Sequence, residues 1–346
     1  FEQALGALER DAPDAERAAI LSGLGHAELQ SLTYPDVQRG WDNVARAFDL
    51  YDGLGDAQSA VEVVRASVIP QQWIHGTAKV FSRALELVHP ESTEAGQLLA
   101  RLGTAMNYEQ SDSAGSLETL EQALEIARRT ENTRLEVYVL EAIARGRLDA
   151  GDWRGAIELG LDTIERVGNT DQPAQEAMFH WVVALAFVAI GNPDAAWEHT
   201  RLLPRLMEKY SGSETTGYRW AQYNIAYLQG DLANMDEAGE VLDRRNPNDS
   251  VIRLFVGIGA WHRKRRSDLD ERIQAAQETG HVDPLIGQRA GNVAHLALAA
   301  RLMDRPADAV LAGEMARSIL ATQKLTPVDE TSARIAAGLA AVAANS

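Results

Sequence analysis

The chain has 346 residues, 45% of them hydrophobic and 24% charged, a balance with ample apolar content for a large core. A formal charge of −17 argues against direct nucleic-acid binding and against anionic membranes, and the absence of cysteine removes disulfides, thiolate catalysis and cysteine-bearing metal sites. No apolar run approaches the roughly 20 residues of a membrane span, no signal peptide opens the chain, and the start at Phe1 reads as a piece of a longer protein.

In chain order, FEQALGALER (residues 1–10) reads as the second helix of a unit that has lost its partner. TYPDVQRGWD, from Thr33, carries the first turn. RASVIPQQWIHG, Arg65 to Gly76, sets Pro70 and β-branched residues between helices and predicts an irregular connection. The later turns are SDSAGSLETL from Ser111, GDWRGAIELG from Gly151, GNPDAAWEHT from Gly191, GDLANMDEAG from Gly230, SDLDERIQAA from Ser267 and DRPADAVLAG from Asp304. From Ser111 onward they recur about every 37–40 residues, a period that marks a stacked helical array when sustained in this way. The stretch from Thr33 to Ser111 is twice as long and holds two more units.

Each unit reads as two helices. Val139, Leu140, Ile143 and Ala144 are helically spaced before the Gly151 turn, and Ala156, Leu159 and Ile164 after it. So short a turn forces the helices antiparallel. Glycine supplies the left-handed residue that closes the first helix, and the following Asp or Asn caps the second. Pro35, Pro193 and Pro306 sit where a first-turn N–H has no partner, and Ala156 lets the paired helices approach closely. Pro204, inside AAWEHTRLLPRLMEKY, predicts a kink or an end. The run Arg263-Lys264-Arg265-Arg266 reads as a solvated helix end, and Asp268 and Asp270 as caps of the next helix. In the last segment Ile335, Leu339 and Val342 share one stripe, so residues 328–346 read as a final cap or an incomplete unit.

GDWRGAIE resembles the tetratricopeptide repeat, with its Gly-Asp-aromatic turn, a small residue three positions after the aromatic and paired antiparallel helices. The other units are degenerate, and the period exceeds that family's usual length of about 34. RAFDLYDGLGD, RALELVHPES and LEQALEIARRT resemble the longer repeats of large bacterial signalling proteins. Those include ATPase-regulated LuxR-type and MalT-like transcription regulators and adenylate-cyclase-linked proteins. The resemblance spans Asp14 to Ala344. It implies an all-α fold, one right-handed superhelical solenoid of about eight helix pairs forming a single repeat domain over residues 1–346. It also implies a cytoplasmic setting in bacterial transcription regulation.

Catalytic spacing is not evident. There is no Walker loop, nucleophile elbow or H-E-x-x-H. The eight histidines stand at positions 26, 75, 89, 180, 199, 262, 281 and 295, and no two are closer in sequence than His75 and His89. None therefore clasp a metal at i, i+4, and neither metal nor cofactor is expected. His180 reads as a core or interface histidine.

The aromatics carry a register. Trp181 precedes Gly191 by the same interval as Trp220 precedes Gly230. Asn224 and Trp261 each lie one helical turn nearer to their own turns, at Gly230 and Ser267. Glu141 stands at the tryptophan interval before Gly151, with Tyr138 one helical turn further from it and Arg145 one turn nearer. In tetratricopeptide arrays first-helix positions of this register line the concave groove. Carried over, that groove comprises Arg101, Tyr138, Glu141, Arg145, Trp181, Trp220, Asn224, Tyr227 and Trp261. Tryptophan is favoured at binding hot spots, although packing between neighbouring repeats places it at the same spacing. The expected function is a non-catalytic interaction and regulatory module that takes a peptide, a protein segment or a small effector. Two alternatives stay open: a helical-repeat enzyme with groove carboxylates, and a self-associating spacer. A helical glycosidase would pair carboxylates on loops with many aromatic platforms, whereas here aromatics are 6% of the chain and lie within helices.

Overall fold

The computed structural model describes residues 13–31, 37–66, 74–110, 112–167, 173–206, 231–245, 303–322 and 327–344, with single residues elsewhere between 219 and 325. The Thr33 and Ser267 turns, the run at 263–266 and the opening segment 1–10 lie outside these residues. The described elements are all helices: α1 (Asp14–Ser31), α2 (Val37–Gly53), α3 (Ala57–Arg65), α4 (Thr77–Leu85), α5 (Thr93–Gln110), α6 (Ser113–Arg129), α7 (Thr133–Asp149), α8 (Trp153–Val167), α9 (Pro173–Ala189), α10 (Pro193–Thr200), α11 (Leu232–Arg245), α12 (Pro306–Thr322) and α13 (Pro327–Ala344). Packing divides the chain into one unit of Phe1–Val139 and another of Leu140–Ser346.

One turn device recurs through both units. Before α8, the N–H of Gly151 donates to Leu148 and that of Asp152 to Arg147, at 3.1 and 2.9 Å, with Gly151 at φ 81°. Before α10, Gly191 (φ 76°) donates to Val188 and Asn192 to Phe187 in the same way. This is the Schellman arrangement, which uses up the last carbonyls of the first helix. The next residue then caps the second helix: Asp152 Oδ1 accepts from Gly155 N at 3.0 Å, and Asn192 Oδ1 from Ala195 N at 3.2 Å. The device also works between successive helix pairs. Gly55 and Asp56 close α2 and open α3, and Glu131 and Asn132 close α6 and open α7, with Glu131 at φ 51° despite its side chain. These half-period turns escape a reading tuned to the full repeat. Hydrogen bonds from Ser59, its side chain first and then its backbone, hold the Asp56 carboxyl below its ordinary range.

In the first unit α1 packs on α2, α2 on α3, α3 on α4, α4 on α5 and α5 on α6. Its core is built around Trp41, Phe48 and Phe81, all fully buried, with the Trp41 and Phe81 rings 5.6 Å apart. A Cβ on Gly25 would stand 2.7 Å from the Gly40 carbonyl oxygen, so α1 and α2 touch backbone to backbone there and only glycine fits. The connection around Pro70, expected to be irregular, lies outside the described residues; the helix that follows it, α4, starts with a long-range cap. Gly76 (φ 75°) precedes α4 and offers no side chain. Glu109, at the end of α5, supplies the carboxylate: Oε2 accepts from Gly76 N at 2.9 Å, and Oε1 from Thr77 N at 2.8 Å and Ala78 N at 3.1 Å. The Thr77 hydroxyl donates to the same oxygen.

In the second unit α8 packs on α9, α9 on α10, and α12 on α13. Pro204 acts as expected. Helix α10 stops at Thr200, and a new helical turn starts at Leu203, because proline has no N–H to return to the Thr200 carbonyl. The last helix differs from the sequence pattern. Ile335 and Val342 are 54% and 59% exposed, Leu339 is half-buried, and the sealed stripe is Ala333, Ala336, Ala340 and Ala343. Helix α12 comes too close for larger side chains: a Cβ on Gly313 would lie 2.0 Å from that of Ala340.

Two substitutions test this construction. Glu109→Ala leaves the donors at the α4 start uncapped and should lower stability by ~1–3 kcal/mol, with Glu109→Gln recovering part of it, as read from urea melts. Ala156→Leu, at a site with no exposure, should destabilise by ~1–3 kcal/mol through overpacking; an unchanged midpoint would show that the site has room.

Candidate functional site

Helix α7 starts at the Asn132 cap and carries Tyr138, Glu141 and Arg145 on successive turns. Glu141 is 5% exposed and Arg145 is also largely covered. Their charged groups approach to 3.4 Å, Arg145 Nη1 to Glu141 Oε1, yet that oxygen is buried and accepts no hydrogen bond. Glu28, a buried carboxylate of the first unit, shows what full satisfaction looks like: Oε1 takes Arg39 Nε at 2.6 Å and Oε2 takes Asn43 Nδ2 at 2.8 Å. Burying a charge with incomplete hydrogen bonding is unfavourable, so the Glu141 carboxylate is less well compensated than that of Glu28.

The register position shared by Glu141 and Trp181 repeats this character along the chain. In the first unit it is held by Arg101, at the same interval before Ser111. The Arg101 Nη2 donates to the Arg65 carbonyl at 3.0 Å, and burial lowers its pKa, opposed by Tyr138 and assisted by the Arg65 charge. Tyr138 is half-buried beside it. In the second unit the position holds Glu141 and then Trp181. The Trp181 indole is half-buried against Ala177, Leu203 and Leu206, and its Nε1 is buried without a hydrogen-bond partner. Trp220, Asn224, Tyr227 and Trp261 lie outside the described residues.

Two features of the second unit go beyond the sequence reading, which placed His180 in the core or at an interface but named no partner for it. His180 and His199 meet with Nδ1 atoms 2.9 Å apart, across the Gly191 turn. Spacing along one helix cannot reveal this; the signal is that the two residues flank, at similar intervals, a turn that folds α10 back on α9. The second feature is a cleft of about 400 Å³ beside Trp197, which is 42% exposed. Arg219, held by Gln222 at 2.8 Å, forms another wall, Ile225 and Ala226 the floor, and Asn234, tied to Asp231, the rim. Of the residues picked from sequence, the described ones, Arg101, Tyr138, Glu141, Arg145 and Trp181, do not line it. Among the described residues no cluster of three or more His, Asp or Glu is placed to hold a metal, and no helix is long and apolar enough to cross a membrane.

No known family's sequence profile matches this chain, and no curated protein matches it in sequence. Solved structures do match in shape. A Rap protein complexed with competence and sporulation factor aligns with TM-score 0.60 at 13% identity, over 93% of this chain and 82% of that one. A tetratricopeptide repeat protein from Parabacteroides merdae aligns with TM-score 0.46 at 12% identity, over 86% of this chain and 98% of that one. The apo form of RapI gives 0.42 at 13%, over 88% and 99%. The first of these establishes the fold: an all-α array of helical repeats.

If Glu141 and Arg145 are kept for something other than stability, replacing both with Leu and Met should leave the urea midpoint equal or higher. Arg145→Ala alone, which strands the carboxylate, should cost about 2–4 kcal/mol. A double variant as damaged as the single one would show that the ion pair is structural.

Proposed function

We propose that this chain is a non-catalytic interaction module that binds a peptide or protein segment on its first helices, a small planar effector being the alternative occupant of the same face. The observation that carries this reading is the pair of buried, hydrogen-bond-free polar atoms at equivalent first-helix positions, the acceptor Glu141 Oε1 and the donor Trp181 Nε1. Native interiors satisfy nearly all such atoms, so unmet ones at recurring positions are bonding capacity that a ligand can use once the side chains covering them move aside. An extended peptide offers both complements, an N–H for Glu141 and a C=O for Trp181. The indole face adds apolar contact to whatever side chain lies between them. The remaining register positions, Arg101, Tyr138, Arg145, Trp220, Asn224, Tyr227 and Trp261, extend the proposed face. The Rap protein solved with competence and sporulation factor supports a role of this kind, since it is an array of the same fold holding a partner. The likeness of GDWRGAIE and its companion stretches to LuxR-type and MalT-like repeats supports a place inside a cytoplasmic bacterial regulator.

The test is a displayed random-peptide library panned on the chain, followed by fluorescence anisotropy with the selected peptide. Trp181→Phe keeps the packing and removes the donor; Glu141→Gln removes the charge. Each should weaken binding roughly 5–20-fold, while Glu158→Gln on the exposed side of α8 leaves it unchanged. Folded variants that bind like the parent would overturn the proposal.

A further inference from the structure

Two imidazoles meet where α9 packs on α10. His180 is 5% exposed and His199 half-buried, their ring centroids are 5.1 Å apart, and Phe187 stacks on His199 at 5.8 Å. With Nδ1 atoms at 2.9 Å, one must carry the hydrogen and the other the lone pair. The neutral pair therefore consists of complementary tautomers, one Nδ1–H and one Nε2–H. One added proton leaves the bond intact, because an imidazolium still donates from Nδ1 to its neutral neighbour. A second proton sets two N–H groups and two positive charges face to face in a buried setting, and the bond is lost.

Helix α10 has little else to hold it. It is 8 residues long, cut short ahead of Pro204, and its buried side chains are Ala196 and Thr200. It also carries Trp197, the wall of the cleft. We propose that His180 and His199 form a proton-operated latch that holds α10 against α9 when the pair carries at most one proton and releases it, with the Trp197 wall, when the pair carries two. The latch does not depend on which ligand the array binds.

The electrostatic surroundings favour the closed, neutral pair near pH 7. Burial first, and the neighbouring His199 second, push the His180 pKa down to about 4; burial lowers His199 too, against the opposing pull of Glu198. Glu198 is itself ion-paired to Arg201. On α9, Glu176 lies one turn before His180 and is half-buried, and on α10 Asp194 is exposed. Helix α8, packed against α9, turns Arg154, Glu158, Asp162, Glu165 and Arg166 outward, and Arg205 beyond α10 is exposed as well. Both folded-state values lie below the ordinary histidine value, so the unfolded chain binds more protons at mildly acid pH. The stability from the pair is complete above about pH 6.5 and declines as pH falls towards 4.

Long-range nitrogen–proton NMR of the histidines in the whole chain reads the latch directly. At pH 7 His180 and His199 should show opposite tautomers, and both should titrate below the ordinary histidine value, His180 near 4. In His199→Asn the amide reaches the place of Nδ1 and keeps a hydrogen bond to His180 without titrating. Between pH 8 and pH 5 the folding equilibrium constant of the parent, from urea melts, should fall roughly tenfold more than that of this variant. Equal pH slopes, identical tautomers, or midpoints near 6.5 in the parent would each overturn the latch. The parent's NMR titration decides the matter even if the variant does not fold.

Discussion

Everything in this molecule depends on how a helix end is closed. A helix leaves its last carbonyls and first amides without partners, and a chain made only of helices must solve this at each reversal. Here one left-handed residue followed by an Asp or Asn does so within a few residues, at Gly55, Glu131, Gly151 and Gly191. So short a reversal leaves the chain no choice but to run back along the helix it has just made. Antiparallel pairs, the repeat period and the alignment of equivalent positions all follow. Where the device is lacking, as before α4, the donors are met from far along the chain by Glu109, which ties two neighbouring elements together.

Exposed ion pairs on the described surface, such as Arg334 with Glu330, are of little energetic consequence. Glu28 and Glu141 are different because both are buried, and they differ from each other in a telling way. Glu28 is closed on both oxygens by Arg39 and Asn43 and reads as a finished piece of architecture. Glu141 faces Arg145 across 3.4 Å with an oxygen that accepts no hydrogen bond, in the same register as an indole N–H that donates none. The proposed function is built on these unmet groups because native interiors satisfy nearly all others.

The repeat around the Gly191 turn holds several irregularities together. Pro204 shortens its second helix, Trp197 is exposed, the buried side chains are only Ala196 and Thr200, and the histidine pair adds to the anchoring. A regular unit has apolar contacts along two full helices and is insensitive to protons; this one depends on a bond whose existence requires a lone pair.

What the sequence by itself determined is local. Turn residues act through their own backbone, so Gly151-Asp152 and Gly191-Asn192 announced the helix ends, and Pro204 the break, without any knowledge of neighbours. Register followed, because counting from a turn is counting along a rigid helix, and it placed Glu141 and Trp181 in equivalent positions. The tertiary structure decided whatever depends on distance through space. The Glu109 cap, the meeting of His180 with His199 and the cleft at Trp197 join residues from separate helices, and no spacing along one helix encodes them. The last helix shows the same limit: alanines are sealed and Ile335 and Val342 exposed because α12 lies too near for bulk, and hydrophobicity alone cannot report how close a neighbour will come.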